Sequence, residues 1–228
     1  MTMMAKIPGQ SDQAGASAAD IPAPTDATGV AACAANAPVI EATRNWLERA
    51  VIGLNLCPFA KAVHHRRQIR YIVSRATDRE ALDVDLAAAL LHLNATPTTQ
   101  VETTLLIHPL VLTDFFDYNA YLATADRIVE RLGMTGVIQV ASFHPQYAFA
   151  DCAADAPDNN TNRSPYPMLH LLREASITKA ITAFPDADDI YLRNIETMRA
   201  LGTAGWQALG VGADITQQHP VTKHSSES

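Results

Sequence analysis

Asn159-Asn160-Thr161-Asn162-Arg163-Ser164-Pro165-Tyr166-Pro167-Met168-Leu169-His170-Leu171-Leu172-Arg173-Glu174 is the stretch on which the reading of this chain turns. Its first half is an amide-rich loop. Asn160 and Asn162 suit irregular backbone, where their side chains bond main chain or ligand. Arg163 offers a planar fork matched to carboxylate or phosphate. Ser164-Pro165 and Tyr166-Pro167 restrict the chain to a narrow path. The second half reads as a helix over 166–175. On it His170, Arg173 and Glu174 are spaced i, i+3 and i+4 and share one face. Met168, Leu169, Leu171 and Leu172 cover the other faces, so the helix is buried. Three polar groups on a buried helix need partners: one another, histidines elsewhere, or a ligand. The plainer alternative is an Arg–Glu pair that only braces the loop.

Upstream of this stretch, strands alternate with long helices. Residues 69–74, 101–107 and 137–143 are rich in β-branched and apolar side chains and read as strands. The second is apolar on both faces, as a doubly buried strand would be. A helix opening at Pro38 carries Ile40, Leu47, Ala50, Val51 and Leu54 as its core stripe. Thr77 and Glu80 have capping-box spacing before a helix bearing Leu82, Leu86, Leu90 and Leu93. Thr113 or Asp114 caps another, which Gly133 stops. Shorter helices at 177–184 and 187–201 follow, with Ser176 and Asp186 as caps, Pro185 as a break and Gly202 as the stop. The order predicts an α/β fold: a small sheet of three or more strands, at least partly parallel, flanked by helices, with further helices at the C-terminal end.

Two of the strands end in His-Pro, at His108-Pro109 and His144-Pro145. Parallel strands would bring both histidines to the carboxyl edge, where open α/β sheets hold ligands. Each proline stops the ladder and fixes the turn. A connection of about 20 residues follows His144, and connections of that length in compact domains usually have a role of their own. It begins with Tyr147 and Phe149 and ends in the stretch quoted above.

The 228 residues suggest one domain with tails. Residues 1–37 and 210–228 are too poor in large apolar side chains to offset ordering entropy and are expected to be disordered tails, leaving a single domain over 38–209. A formal charge of -7 argues against non-specific nucleic-acid binding. No apolar run approaches a membrane span, and no signal-peptide core opens the chain, so membrane association and secretion are not expected. The three cysteines, Cys33, Cys57 and Cys152, are too widely spaced for a zinc ribbon and fit a reducing, cytoplasmic setting.

These groups define a candidate chemistry. His108, His144 and His170 are three imidazoles that, with the Glu174 carboxylate, could hold zinc or iron with one open position. Without a metal, one histidine serves as general base and Glu174 orients it. Arg163 and Arg173 then clamp a small anion, with Asn160, Asn162, Ser164 and Tyr147 shaping the site. Cys57 has its thiolate favoured if it caps a short helix that Pro58 starts and that runs through Phe59 to Val63. A buried structural cysteine is the simpler alternative.

Four motifs also carry a resemblance: residues 54–60 (LNLCPFA), 102–109 (ETTLLIHP), 143–147 (FHPxY) and the stretch from Asn160 to Ser176. Over about 38–202 the chain resembles a bacterial family of unknown function. The resemblance implies no activity, cofactor or catalytic residue. Two functions from different classes follow from the residues themselves. One is a cytoplasmic enzyme acting on a small anionic substrate, a carboxylate or phosphate, with or without a divalent metal. The other is a non-catalytic module that binds a small ligand or a partner, its polar cluster being structural.

Overall fold

The structure, a computed structural model, describes residues 27–183 and 189–212. Most of both expected tails therefore lies outside the described residues, as do Pro185 and Asp186. Helix α1 (Ala27–Trp46) runs on into a π-helical turn (Leu47–Ile52). Then come α2 (Ala60–His65), β1 (Ile69–Val73), α3 (Arg79–Ala95), β2 (Thr103–Ile107), α4 (Phe115–Arg131) and β3 (Ile138–Phe143). A 3-10 turn (Pro157–Thr161), β4 (Met168–Arg173), α5 (Glu174–Ala183) and α6 (Asp189–Ala208) complete the chain. Among the described residues no helix is long and apolar enough to cross a membrane.

The sheet has the order β1-β2-β4-β3. β1 and β2 are parallel, and β4 is antiparallel to both β2 and β3. Thus β1, β2 and β3 all point one way, with β4 reversed between them. The expected fold class is what forms: a mixed sheet flanked by helices, with helices at the C-terminal end.

The fourth strand corrects the reading of 166–175 as a helix. Helix propensity favours Met, Leu, Arg and Glu by only tenths of a kcal/mol per residue. In the slot between β2 and β3, β4 gains ladder bonds on both sides and buries Met168, Leu169 and Leu171 completely. Pro167, fixed in φ, stands just before the strand, where no ladder N–H is lost.

Two cores sandwich the sheet. Leu106, Ile138, Leu169 and Leu171 pack on α3 and α4 through Leu82, Leu86, Leu90, Tyr118 and Tyr121. Leu105, Ile107 and Met168, from the opposite face, pack on Val39, Trp46, Leu47 and Ala50. α1 already begins at Ala27, so Pro38 lies inside that helix rather than opening it. The cap of α3 is Asp78, whose carboxylate accepts the Ala81 N–H at 2.8 Å, rather than Thr77. Asp114 caps α4 as expected, accepting the Phe116 and Asp117 N–H groups. Gly202 breaks α6 with φ 63° and ψ 178°, a conformation essentially reserved for glycine, after which a further helical turn carries Trp206.

Candidate functional site

Because β2 and β3 run the same way, His108 and His144 emerge at one edge of the sheet. Both lie on the face toward α4, and both are fully buried. The Nδ1–H of His108 donates to the Val111 carbonyl at 3.0 Å, which leaves Nε2 unprotonated. That Nε2 is buried and has no hydrogen-bond partner among the described residues. Burial pushes the His108 pKa down to about 4, with the neighbouring His144 a lesser contributor in the same direction. The ring stacks on Tyr118, with centroids 5.8 Å apart. His144 has the opposite tautomer: its Nδ1 accepts the Gln146 N–H at 3.0 Å, and its Nε2–H donates to the Leu112 carbonyl at 3.2 Å. Burial lowers its pKa as well. The two imidazoles thus grip successive carbonyls of the turn between β2 and α4, where Leu112 has φ 56°. Tyr118 completes the fixture: its hydroxyl donates to the Met168 carbonyl at 2.8 Å and accepts the Phe143 N–H at 3.0 Å.

The long connection after His144 is held by its own side chains. Asn159, fully buried, accepts the Phe149 N–H and donates to the Ala153 carbonyl. Asn162 donates to the Ser142 carbonyl, and its own carbonyl accepts the His144 N–H. Arg163 donates from Nε to the Tyr147 carbonyl, from Nη1 to Asn160 Oδ1 and from Nη2 to the Ala154 carbonyl. Three of its five N–H groups are so engaged, and the other two make no hydrogen bond among the described residues. Ser164 Oγ donates to the Tyr166 carbonyl. Tyr147 packs on Phe115 with centroids 5.2 Å apart. Two partners outside the connection fix it to the body. Trp46 Nε1 donates to the Arg163 carbonyl at 2.8 Å, and Arg199 of α6 forks onto the buried Asp158 carboxylate.

Between this connection and the sheet edge lies a cavity of about 360 Å³. The prolines of both His-Pro pairs, Pro109 and Pro145, line it together with the segment from Arg163 to Pro167. Thr113 forms part of the rim side, and Trp206, Val211 and Gly212 close it from the C-terminal end. The histidines themselves do not line it; they stand behind its walls.

Three expected members lie elsewhere. His170 is in the middle of β4 on the opposite face of the sheet, against Phe143, with Nε2 2.7 Å from the Thr103 hydroxyl. That hydroxyl donates to the Leu171 carbonyl, so His170 Nε2 carries the proton it gives to Thr103. Burial pushes its pKa down to about 4. Arg173 and Glu174 sit at the far end of β4, roughly 17 Å along the strand from Met168. There one terminal nitrogen of the Arg173 guanidinium donates to the Leu93 and Thr96 carbonyls at the C-terminal end of α3 and to the Val101 carbonyl just before β2. It is a helix cap, not an anion clamp for the carboxyl edge. On a strand, the shared helical face of His170, Arg173 and Glu174 does not exist. A three-histidine metal site fails for the same reason, and among the described residues no group of three His, Cys, Asp or Glu side chains is placed to hold a metal ion.

Cys57 also differs from expectation. α2 starts at Ala60, so Cys57 does not cap it. Burial raises its pKa, outweighing the lowering effect of the Phe59 and Ala60 N–H groups, and the thiol stays protonated. Conversely, Trp46, Thr113, Tyr118, Asp158 and Trp206 contribute to the site without any local motif. Only their type gave a signal, since buried Tyr and Trp need a partner for the polar tip.

Residues 38–208 match a family model described as a protein of unknown function, in agreement with what the four motifs imply. No curated protein and no solved structure matches the chain.

Proposed function

The chain belongs to that family, DUF1415, and from its structure we propose that the domain binds a small anionic molecule in the carboxyl-edge cavity. The observation that supports this is the cavity's make-up. Both His-Pro turns and the Arg163-to-Pro167 segment converge on it, and Arg163 keeps two N–H groups unengaged among the described residues. About 360 Å³ is at the small end for ligand pockets, which run roughly 300–1,000 Å³. The site is pre-formed, because prolines and backbone-bonded side chains hold its walls, so little ordering entropy opposes binding.

The test is a calorimetric titration with small carboxylates and phosphates, comparing the wild type with Thr113→Trp. Thr113 is exposed and precedes the Asp114 cap, so the added ring fills the cavity without breaking a bond of the loop. Binding in the wild type that disappears in this variant supports the reading. Unchanged binding, or none to any anion, refutes it. A second reading, turnover beside the cavity, draws on the unprotonated Nε2 of His108, which stands behind the Pro109 wall with no hydrogen-bond partner among the described residues. Consumption of a bound ligand by the wild type, lost in His108→Gln with binding retained, is its signature.

A further inference from the structure

The walls of the cavity carry more information than its charge. We infer that its ligand has a flat, aromatic body beside the anionic group, and that Trp206 is the residue that selects it. This rests on the binding function proposed above. Four prolines, Pro109, Pro145, Pro165 and Pro167, line the cavity with Tyr166 and Trp206. None of those proline rings offers a hydrogen-bond donor, and their fixed φ keeps them from adapting. Ser164 Oγ has already given its proton to the Tyr166 carbonyl. The other side-chain donors among its lining residues are those of Arg163 and Thr113 and the single polar tips of Tyr166 and Trp206.

A polyol, an amino acid or a peptide finds no side-chain partner on the four proline rings, so each polar group turned toward them costs the loss of its water. A ring with one anionic arm turns only its C–H face toward those prolines. Its face meets proline C–H groups and the indole, and its charge meets the guanidinium. The cavity volume suits one ring system with a short arm rather than a nucleotide.

Trp206 reaches the cavity only because of the break at Gly202. With φ 63° and ψ 178° there, the chain leaves the axis of α6, and the next turn sets Trp206 against the second core. The turn is then pinned by Leu209 and Val211 in that core and by Asn45 Nδ2, which donates to the Gly210 carbonyl at 2.9 Å. The indole is therefore held as a wall of fixed position, half-buried, on a segment separate from the one that carries Arg163.

The experiment uses matched probes on the full chain: benzoate against cyclohexanecarboxylate, and phenyl phosphate against inorganic phosphate, each titrated by calorimetry. The wild type should bind each aromatic anion about fivefold or more tightly than its non-aromatic counterpart. Trp206→Phe should keep the preference and Trp206→Ala should erase it while leaving weak anion binding. Circular dichroism and thermal melting of both variants check that the fold is intact, and Trp206→Phe decides the case if the alanine variant does not fold. Equal affinities within each pair, or a preference that survives in Trp206→Ala, overturn the inference and leave anion binding standing. No binding of any of the four probes overturns both.

Discussion

His108 and His144 are fixed to two neighbouring carbonyls through opposite tautomers, and that detail makes them structural sensors of acid. His108 is neutral in the folded chain, with its pKa pushed down to about 4, whereas an unfolded histidine takes up a proton near 6.5. Below pH 6.5 the unfolded state binds more protons, so stability is complete above that value. It falls as the pH drops toward 4 and levels off below, where both states are protonated. The shift corresponds to roughly 3 kcal/mol. Urea denaturation of His108→Gln between pH 7 and 4 should show a shallower loss than the wild type; an identical slope would mean that His108 is not the titrating group. Tyr118→Phe removes one hydroxyl that serves both the Met168 carbonyl and the Phe143 N–H. A loss of about 2 kcal/mol is expected in the same measurement, since two buried backbone groups lose their partner. At this scale the sequence named the right histidines at the edge, because a proline after a strand marks its end. It could not show that His108 Nδ1 and both nitrogens of His144 were taken by backbone groups, since two of those bonds go to carbonyls in the turn after β2, which lies far from His144 in the chain.

At the scale of elements, β4 and α3 define each other. The Met168–Arg173 segment is read as a helix when only local spacing is considered, because five of its six side chains are good helix formers and none is β-branched. What overrides that preference is the empty slot between β2 and β3, a long-range feature with no local signature. Once the segment is a strand, Arg173 arrives at the end of α3 and donates to two carbonyls of its last turn and cap, Leu93 and Thr96, and to Val101 beyond it. Arg173→Met should therefore cost about 2 kcal/mol without changing ligand affinity. Amide exchange should speed up most in the last turn of α3; a uniform change across the chain would contradict the capping role. Gly202→Ala acts on a different element. The backbone at Gly202 is one that alanine avoids, so either about 1–3 kcal/mol is lost or the break straightens and withdraws Trp206. Tryptophan emission separates the two outcomes, because Trp46 is buried and bonded while Trp206 is half-buried. β1, β2 and β3 were legible within two residues at each end because their β-branched runs stand between clear helix caps. The missing strand shows the converse: a short apolar run after a proline has no decisive period of its own.

For the molecule as a whole, the reversed strand reshapes what the site can be. Three strands pointing one way still bring Ser74, His108 and His144 to one edge, as the alternation of strands and helices implies. The reversal of β4 then carries Arg173 and Glu174 to the opposite edge, and its alternation turns His170 to the other face. One imagined cluster is thereby divided into three places: a pinned turn at the carboxyl edge, a hydrogen-bonded pair under the α1 side, and a helix cap at the amino edge. What gathers at the carboxyl edge instead comes from the two ends of the domain, through Trp46 near the start and Trp206 to Gly212 near the finish. The second core has the same reach, from Val39 to Val211, whereas the first lies wholly between Ala76 and Leu171. This unequal span predicts how shortened chains behave. A chain of residues 38–212 keeps every described member of both cores and should melt within a few degrees of the full chain. A chain ending at Gly202 keeps the first core intact but strips Trp206, Leu209 and Val211 from the second and opens one wall of the cavity. Burial of those three side chains is worth on the order of 3 kcal/mol, so its melting point should fall by about 6–12 °C, and anion binding should go with it. Equal melting of the two chains would show that the C-terminal turn is not part of the folded unit, and the cavity would then lose the wall on which its selectivity depends.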